Sequence, residues 1–445
     1  MRSLLRPGLI LTFLLCGATP AGADWPVYAH DNRRSGVTAE PLDLPLRRVW
    51  TFESPAPPAT AWTGPAKWDA YSGNAGLQSM RNFDPAFFVT AVAGRVYFGS
   101  SVDHSAHCLD AATGERLWIF PTGAPVRFPP SVQQDRAWFG SDDGFVYCTG
   151  AADGTLVWKL RAAPSARLIP SNGCLISPWP VRTGVLLDRG RALFAASLLP
   201  WEPSYLYAVD AATGRIEGNG LFRAELSDAT IQGALLASAS NLYAPQGRSA
   251  PLTYDLQTGV SGGPIPEAGG VFCILTEDDQ LVAGPADQKN PEDVVRLSDA
   301  KSNQKLVSFS GSNRILVDGS TAWLHRAGNL QAIDRAAIIR LTPERDALSA
   351  KKDRRSDENA RLAQLEELLR ACVLWEEPAP APFGFILAGG VLIAGLENAV
   401  RAVDAASGRT LWEAPVPGRA YGLAAAGGRL FVSTDRGHIC CFATP

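Results

Sequence analysis

Three stretches of this chain repeat one sentence: LDAATGERLW at 109–118, TGAADGTLVW at 149–158 and VDAASGRTLW at 403–412. A sentence that returns at a period of roughly 40 residues means one small unit built repeatedly, each copy burying what its neighbour leaves bare. An apolar run, Val96-Tyr97-Phe98, leads into a second strand ending at Asp110. Asp110 and Thr113 offer side-chain oxygens to the amides of a tight turn, and Gly114 accepts the positive φ that turn requires. Trp118 falls on the following strand, its indole available to the next unit.

The copies run Asp110, Gly114, Trp118; Gly150, Gly154, Trp158; Asp210, Gly214, Gly218; Asp255, Gly259, Gly263; a weak Asp299, Asn303, Val307; and Asp404, Gly408, Trp412. Another starts as LQAIDR at 330–335, is interrupted, and resumes as VLWEE at 373–377. The last segment, 428–443, supplies strands but stops before a Trp strand, whereas RRVWTFE at 47–53 has a Trp strand and no unit of its own. Four short strands per unit, set radially, describe a β-propeller. The expectation is an all-β, eight-bladed β-propeller over 47–445, with seven blades as the alternative count. The N-terminal strand would complete the last blade and remove its exposed edge.

These residues resemble the pyrroloquinoline-quinone (PQQ) type propeller repeat, with its Asp-x-x-Thr-Gly-x-x-x-Trp signature, over almost all of 24–443. DWPVYAHDNRRSGVT at 24–38 resembles the segment that precedes the ring in such bacterial exported proteins. The resemblance extends distantly to BamB-type propellers of outer-membrane barrel assembly. It implies the fold and leaves function open, because the superfamily includes both quinoprotein dehydrogenases and non-catalytic members.

Residues 1–23 read as a secretory signal: Arg2 and Arg6, then the apolar run Leu9–Cys16, then Ala21-Gly22-Ala23 for cleavage. Leu14-Leu15 before Cys16 matches a lipidation box poorly, so a periplasmic protein without a lipid anchor is expected, and no stretch is long enough to span a bilayer. The formal net charge of −3 becomes more negative once Arg2 and Arg6 are removed, which gives no footing for nucleic acid. The remaining cysteines are 108, 148, 174, 273, 372, 440 and 441, an odd number in an oxidising compartment. Cys108, Cys148 and Cys441 share one repeat phase, as small buried strand residues would. Cys440 and Cys441 on one strand point to opposite faces, so ordinary strand thiols are expected there, although a vicinal disulfide lines the cofactor pocket in some quinoprotein alcohol dehydrogenases.

Residues entering the innermost strand of each blade line the channel mouth. Aligning the units there puts Arg127, Arg182 and Gln232 at one phase, with Arg419 and Tyr421 flanking it in the last blade and Arg81 near the first. Such a polar arc suits a small anion, because guanidinium donors form a rigid fork. The alternative is that these arginines bond neighbouring loops or pair with acids. The loops 164–183 and 55–86 carry Trp179, Asn172, Cys174, Trp62, Trp68, Tyr71 and Phe83 and are expected to cover the propeller face or meet a partner. A helical hairpin is expected over about 341–372, with Thr342 as N-cap, Pro343 at the first position and a stripe of Leu362, Leu365, Leu369 and Cys372.

PQQ enzymes, by the resemblance, hold calcium with acidic and amide oxygens and use an Asp as base. Asp84, Asp103, Asp142 and Asp143 form no such constellation; Asp142-Asp143-Gly144 and Asp435-Arg436-Gly437 read as hairpin turns, and HSAH (His104, His107) as a turn with at best a metal pair. No catalytic or metal residue and no cofactor is expected. The main reading is an exported binding scaffold for a protein partner or small anionic ligand; the alternative is a PQQ-dependent dehydrogenase with calcium.

Overall fold

The computed structural model describes residues 24–62, 83–247, 249–265, 272–284, 294–300, 302, 304–312 and 314–445. The expected leader 1–23 with Cys16, and Trp68, Tyr71, Arg81 and Asn303, lie outside the described residues. Successive antiparallel strands build six four-stranded sheets, beginning at Val89, Ser131, Leu186, Leu236, Phe272 and Ile315. The inner strands are apolar and sealed, as in Ser105–Asp110, while fourth strands such as Arg116–Pro121 alternate with water. Ile169–Ser171 with Cys174–Ile176 forms a separate hairpin, and strands near the two ends of the described chain join in one eight-stranded sheet. Within it Thr410–Ala426 plays two parts: its first half pairs as a fourth strand with Glu397–Asp404, and its second half pairs as a first strand with Arg429–Thr434. Arg47–Glu53 then lies antiparallel to His438–Ala443, with Trp50 opposite Cys441. The molecule is an all-β propeller of repeated four-stranded units.

The repeat residues perform one task at four of the junctions. Asp110 Oδ1 accepts the amides of Ala112 and Thr113, Gly114 donates to the Asp110 carbonyl, and Gly114 has φ +75°. The turn thereby presents the Ala111 carbonyl to the neighbouring sheet, where Trp50 Nε1 donates to it at 3.0 Å. Trp118 donates to Ala151, Trp158 to Ala211 and Trp375 to Ala405 in the same manner. The glycine is required twice over. A Cβ on Gly154 would come within 2.8 Å of the Trp118 ring, and one on Gly408 within 2.7 Å of Trp375.

Two details differ from the sequence reading. Gly218 does not occupy the Trp position after Asp210. The outer strand there starts later, at Phe222, whose ring lies 2.5 Å from a Cβ built on Gly259, so Phe222 substitutes for the indole. The helical hairpin also begins earlier than Thr342. Helix α1 spans Arg335–Ser349 with Pro343 inside it, and α2 spans Ser356–Ala371. Asp334, the repeat aspartate, accepts from the Ala337 amide and caps α1. The same carboxylate-to-third-amide bond that closes a turn at Asp110 here starts a helix.

The segment 24–40 threads the hub. Trp25 exchanges backbone bonds with Ala91 of the first sheet, and Pro26 accepts from Val132 of the second. Asn32 bonds to Leu187 and Ala237 of the third and fourth sheets, Arg33 accepts from Leu275 of the fifth, and Val37–Thr38 runs parallel to Leu387–Ala388. Glu40 accepts the Gly428 amide. Visiting the sheets in order, this extension fills the rim from which the turns and α1–α2 project.

Candidate functional site

At the opposite rim, where chains enter first strands, Arg127 and Arg182 do come together. Asp142 joins them. Arg127 Nε reaches Asp142 Oδ2 at 2.7 Å, and Arg182 grips the same carboxylate with Nε at 2.8 Å and Nη2 at 2.7 Å. Arg127 Nη1 also pairs with Asp84 and donates to the Ala59 carbonyl at 2.9 Å. Both Asp84 oxygens accept the Ala61 amide at 3.0 Å. All four charged side chains are buried. Two guanidinium groups hold the Asp142 carboxyl below its ordinary value against the effect of burial. At Asp84 burial prevails and the carboxyl is pushed up.

The cluster is therefore internally neutral and not an open anion seat. Its carboxylates come from a strand-to-strand turn and from the strap 54–62/83–88, neither of which the repeat phase points to. Asp142 is more than the turn residue that Asp-Asp-Gly suggests: its neighbour Asp143 makes the turn bonds, to the Phe145 and Gly123 amides and the Tyr147 hydroxyl. Gln232 stays apart from the cluster. Its amide donates to the Ser197 carbonyl at 2.8 Å and its Oε1 is buried without a partner among the described residues. Arg419 is half exposed, 3.8 Å from Glu397 and 5.5 Å from the Phe383 ring centroid, and Tyr421 packs on that same ring.

The strap caps the hub from this rim. Ala61, Phe83, Phe128 and Ala234 form a buried group against Tyr28, and Asn172 on the hairpin Ile169–Ile176 bonds the Ala61 carbonyl at 2.9 Å. Trp179 is buried and donates to the Pro203 carbonyl. The two long loops thus pack on one another. Between strap and N-terminal segment remains an axial cavity of about 90 Å³, lined by Tyr28, Arg34, Phe88, Arg314, Phe385 and Tyr421 among others.

PQQ with calcium does not fit these residues. Among the described residues no group of three or more His, Cys, Asp or Glu is placed to hold a metal ion. Asp84 and Asp142 are bonded to arginines, and Asp103 bonds His107, which stacks on Phe98 with centroids 4.6 Å apart. The axial cavity has room for a handful of waters and not for a tricyclic quinone. Cys440 and Cys441 are separate free thiols on one strand, as are the other five cysteines in their places.

Similar folds exist with different attachments. BamB from Moraxella catarrhalis superposes with a TM-score of 0.53 at 10% identity, over 90% of this chain and 100% of that one. The quinohemoprotein alcohol dehydrogenase from Comamonas testosteroni gives 0.59 at 12% identity, over 95% and 81%. A europium-containing methanol dehydrogenase gives 0.56 at 10%, over 95% and 98%. At such identities these likenesses establish the fold alone. By sequence, no curated protein matches. The model of the family described as outer membrane protein assembly factor BamB, however, matches residues 47–219, 102–337 and 396–445. With more than half of its length so matched, and the Asp–Gly–Trp docking geometry repeated from sheet to sheet, this chain belongs to that BamB family of PQQ-like propellers.

Proposed function

We propose that this is an exported, non-catalytic, eight-bladed propeller that serves as a scaffold for a protein partner. The observation that carries the reading is the filled hub. Residues 24–40 occupy one rim and the strap 54–62/83–88 the other, so the place where a propeller enzyme would keep its chemistry is packed with the chain's own side chains. Eight blades follow if the two halves of Thr410–Ala426 are counted separately, and Arg47–Glu53 then closes the ring as the outer strand of the last. Export rests on the leader pattern of 1–23; among the described residues no helix is long and apolar enough to cross a membrane. The parts that depart from the repeat, the α1–α2 arm and the hairpin Ile169–Ile176 with exposed Leu168 and Leu175, are the surfaces left for a partner.

Calorimetric titration of the refolded chain with PQQ, with and without calcium, tests this. No saturable heat is the expected result. Calcium-dependent saturable binding would overturn the scaffold reading and call for a dye-linked alcohol assay.

A further inference from the structure

We propose that the hub holds a small oxyanion, of phosphate, sulfate or short-carboxylate size, seated on Arg34. Arg34 is 4% exposed and lines the axial cavity, yet among the described residues its hydrogen bonds go to backbone carbonyls alone. Nε donates to Leu235 at 2.9 Å, and Nη1 to Tyr28 at 2.9 Å and Asp31 at 3.1 Å. No carboxylate lies within ion-pair range of it among the described residues. Arg127 and Arg182, equally buried, each have one.

Among the described residues that line the cavity, Arg34 and Arg314 are the charged ones, and no Asp or Glu is among them. Asp31, the acid whose field reaches Arg34, has its carboxylate engaged by the Ser35 hydroxyl at 2.7 Å and by the Arg33 and Ser35 amides, and it lines a separate groove outside the hub. Burial lowers the Arg34 pKa to about 10, which still leaves it charged at neutral pH. The same burial raises the Tyr28 phenol, keeping it a neutral hydroxyl able to donate into the cavity.

A buried guanidinium bonded to carbonyls, with Asp31 near enough to be felt but not ion-paired to it, pays its desolvation without a direct counter-charge. An oxyanion supplies that charge and accepts from Nη2, the guanidinium nitrogen that those carbonyls leave over, with the Tyr28 phenol as a further donor. The apolar walls of Trp25, Phe88 and Phe385 lower the local dielectric and so strengthen the attraction. A volume of about 90 Å³ limits the guest to a few heavy atoms. Such an anion would sit in the hub whether or not the outer surfaces carry a protein partner.

The test uses the whole refolded chain in Tris-chloride at fixed ionic strength. Inorganic phosphate, sulfate and acetate are titrated separately while thermal unfolding is followed, and the anions released on denaturation are measured by ion chromatography. The expected result is a saturable rise in Tm with at least one oxyanion, or about one equivalent released. Arg34→Lys, which keeps the charge and loses the planar donor set that holds Nη2 in place, should weaken half-saturation about tenfold. Tyr28→Phe should weaken it too while leaving the anion-free Tm unchanged, and it decides the matter alone if the Arg34 variant does not fold. A linear, unsaturable rise that is identical in Tyr28→Phe, with no anion released, overturns the proposal.

Discussion

Trp50 and Gly114 meet where the strand beside the C-terminal edge joins the first repeat: a Cβ built on Gly114 would lie 2.6 Å from the indole. The glycine is also left-handed, with φ +75°. Gly114→Ala therefore combines backbone strain with overpacking and is expected to cost about 2–4 kcal/mol. Gly94 provides the control, because it has φ +74° and a Cβ placed on it would meet nothing within 4 Å. Gly94→Ala should cost only the strain, about 1–2 kcal/mol. Denaturant midpoints of the two variants measure the docking contact by difference. Equal losses would mean that Trp50 yields freely and does not lock the junction.

Asp142 stands between two buried guanidinium groups, so Asp142→Asn leaves both under-compensated and should cost about 3–5 kcal/mol. Its carboxyl titrates below the ordinary value in the fold, so the stability it contributes is present above about pH 4 and is lost as pH falls through the folded value. The gap between wild type and Asp142→Asn should accordingly narrow in acid. Asp84 behaves in the opposite sense. Its raised folded value means that its favourable contribution is present below the ordinary carboxylate value and is lost as pH rises through the folded one. Wild type should gain on Asp84→Asn with falling pH in that window. In unfolding free energies measured from pH 7 to 3, two gaps that moved together would contradict whichever assignment predicts the other direction.

How much of the molecule is legible in its sequence follows from the range of each interaction. The docking turn is local: Asp110, Thr113 and Gly114 satisfy one another within five residues, and such a pattern survives in sequence. The convergence of Arg127 and Arg182 is legible too, because repeat phase fixes which residues enter first strands. Their partners are not. Asp84 lies on a strap without repeat phase, and Asp142 sits in a turn whose Asp-Asp-Gly sequence already has a local explanation. Phe222 is hidden because an insertion after Gly214 delays the outer strand past the expected Gly218. The path of residues 24–40 through the hub depends on bonds to partners as distant as Gly428, which no local pattern encodes.

The cysteines offer a test of compartment and burial together. Burial pushes the thiols of Cys108, Cys148 and Cys273 up to about 12, and that of Cys441 to about 11. Thiolate is the reactive form, so these four should ignore Ellman's reagent at pH 8 in the native protein. Cys174, partly exposed on the Ile169–Ile176 hairpin, should react at once. Unfolding should release the remaining thiols. A native count near zero with fewer than seven after unfolding would mean that disulfides form in the refolded chain and that the strand cysteines rearrange to make them.

The α1–α2 arm and the missing tryptophan at position 307 are one substitution seen from two sides. Val307 holds the Trp position of its outer strand, and it packs in a core to which Ile338 and Ile339 of α1 contribute. A helix is thicker than a turn, so the residue facing it must be smaller than an indole. Replacing 335–371 by a short repeat turn should therefore destabilise the protein, because Val307 cannot reach the new surface. Adding Val307→Trp to that deletion should restore about 1.5–3 kcal/mol by reburying an aromatic ring. The same Val307→Trp change in the intact protein should cost about 1–3 kcal/mol by crowding α1. Denaturant unfolding of the deletion, the single variant and their combination forms a complete cycle. A Val307→Trp effect of the same sign in both backgrounds would mean that the arm does not stand in for the docking turn, and is carried by the sixth sheet alone.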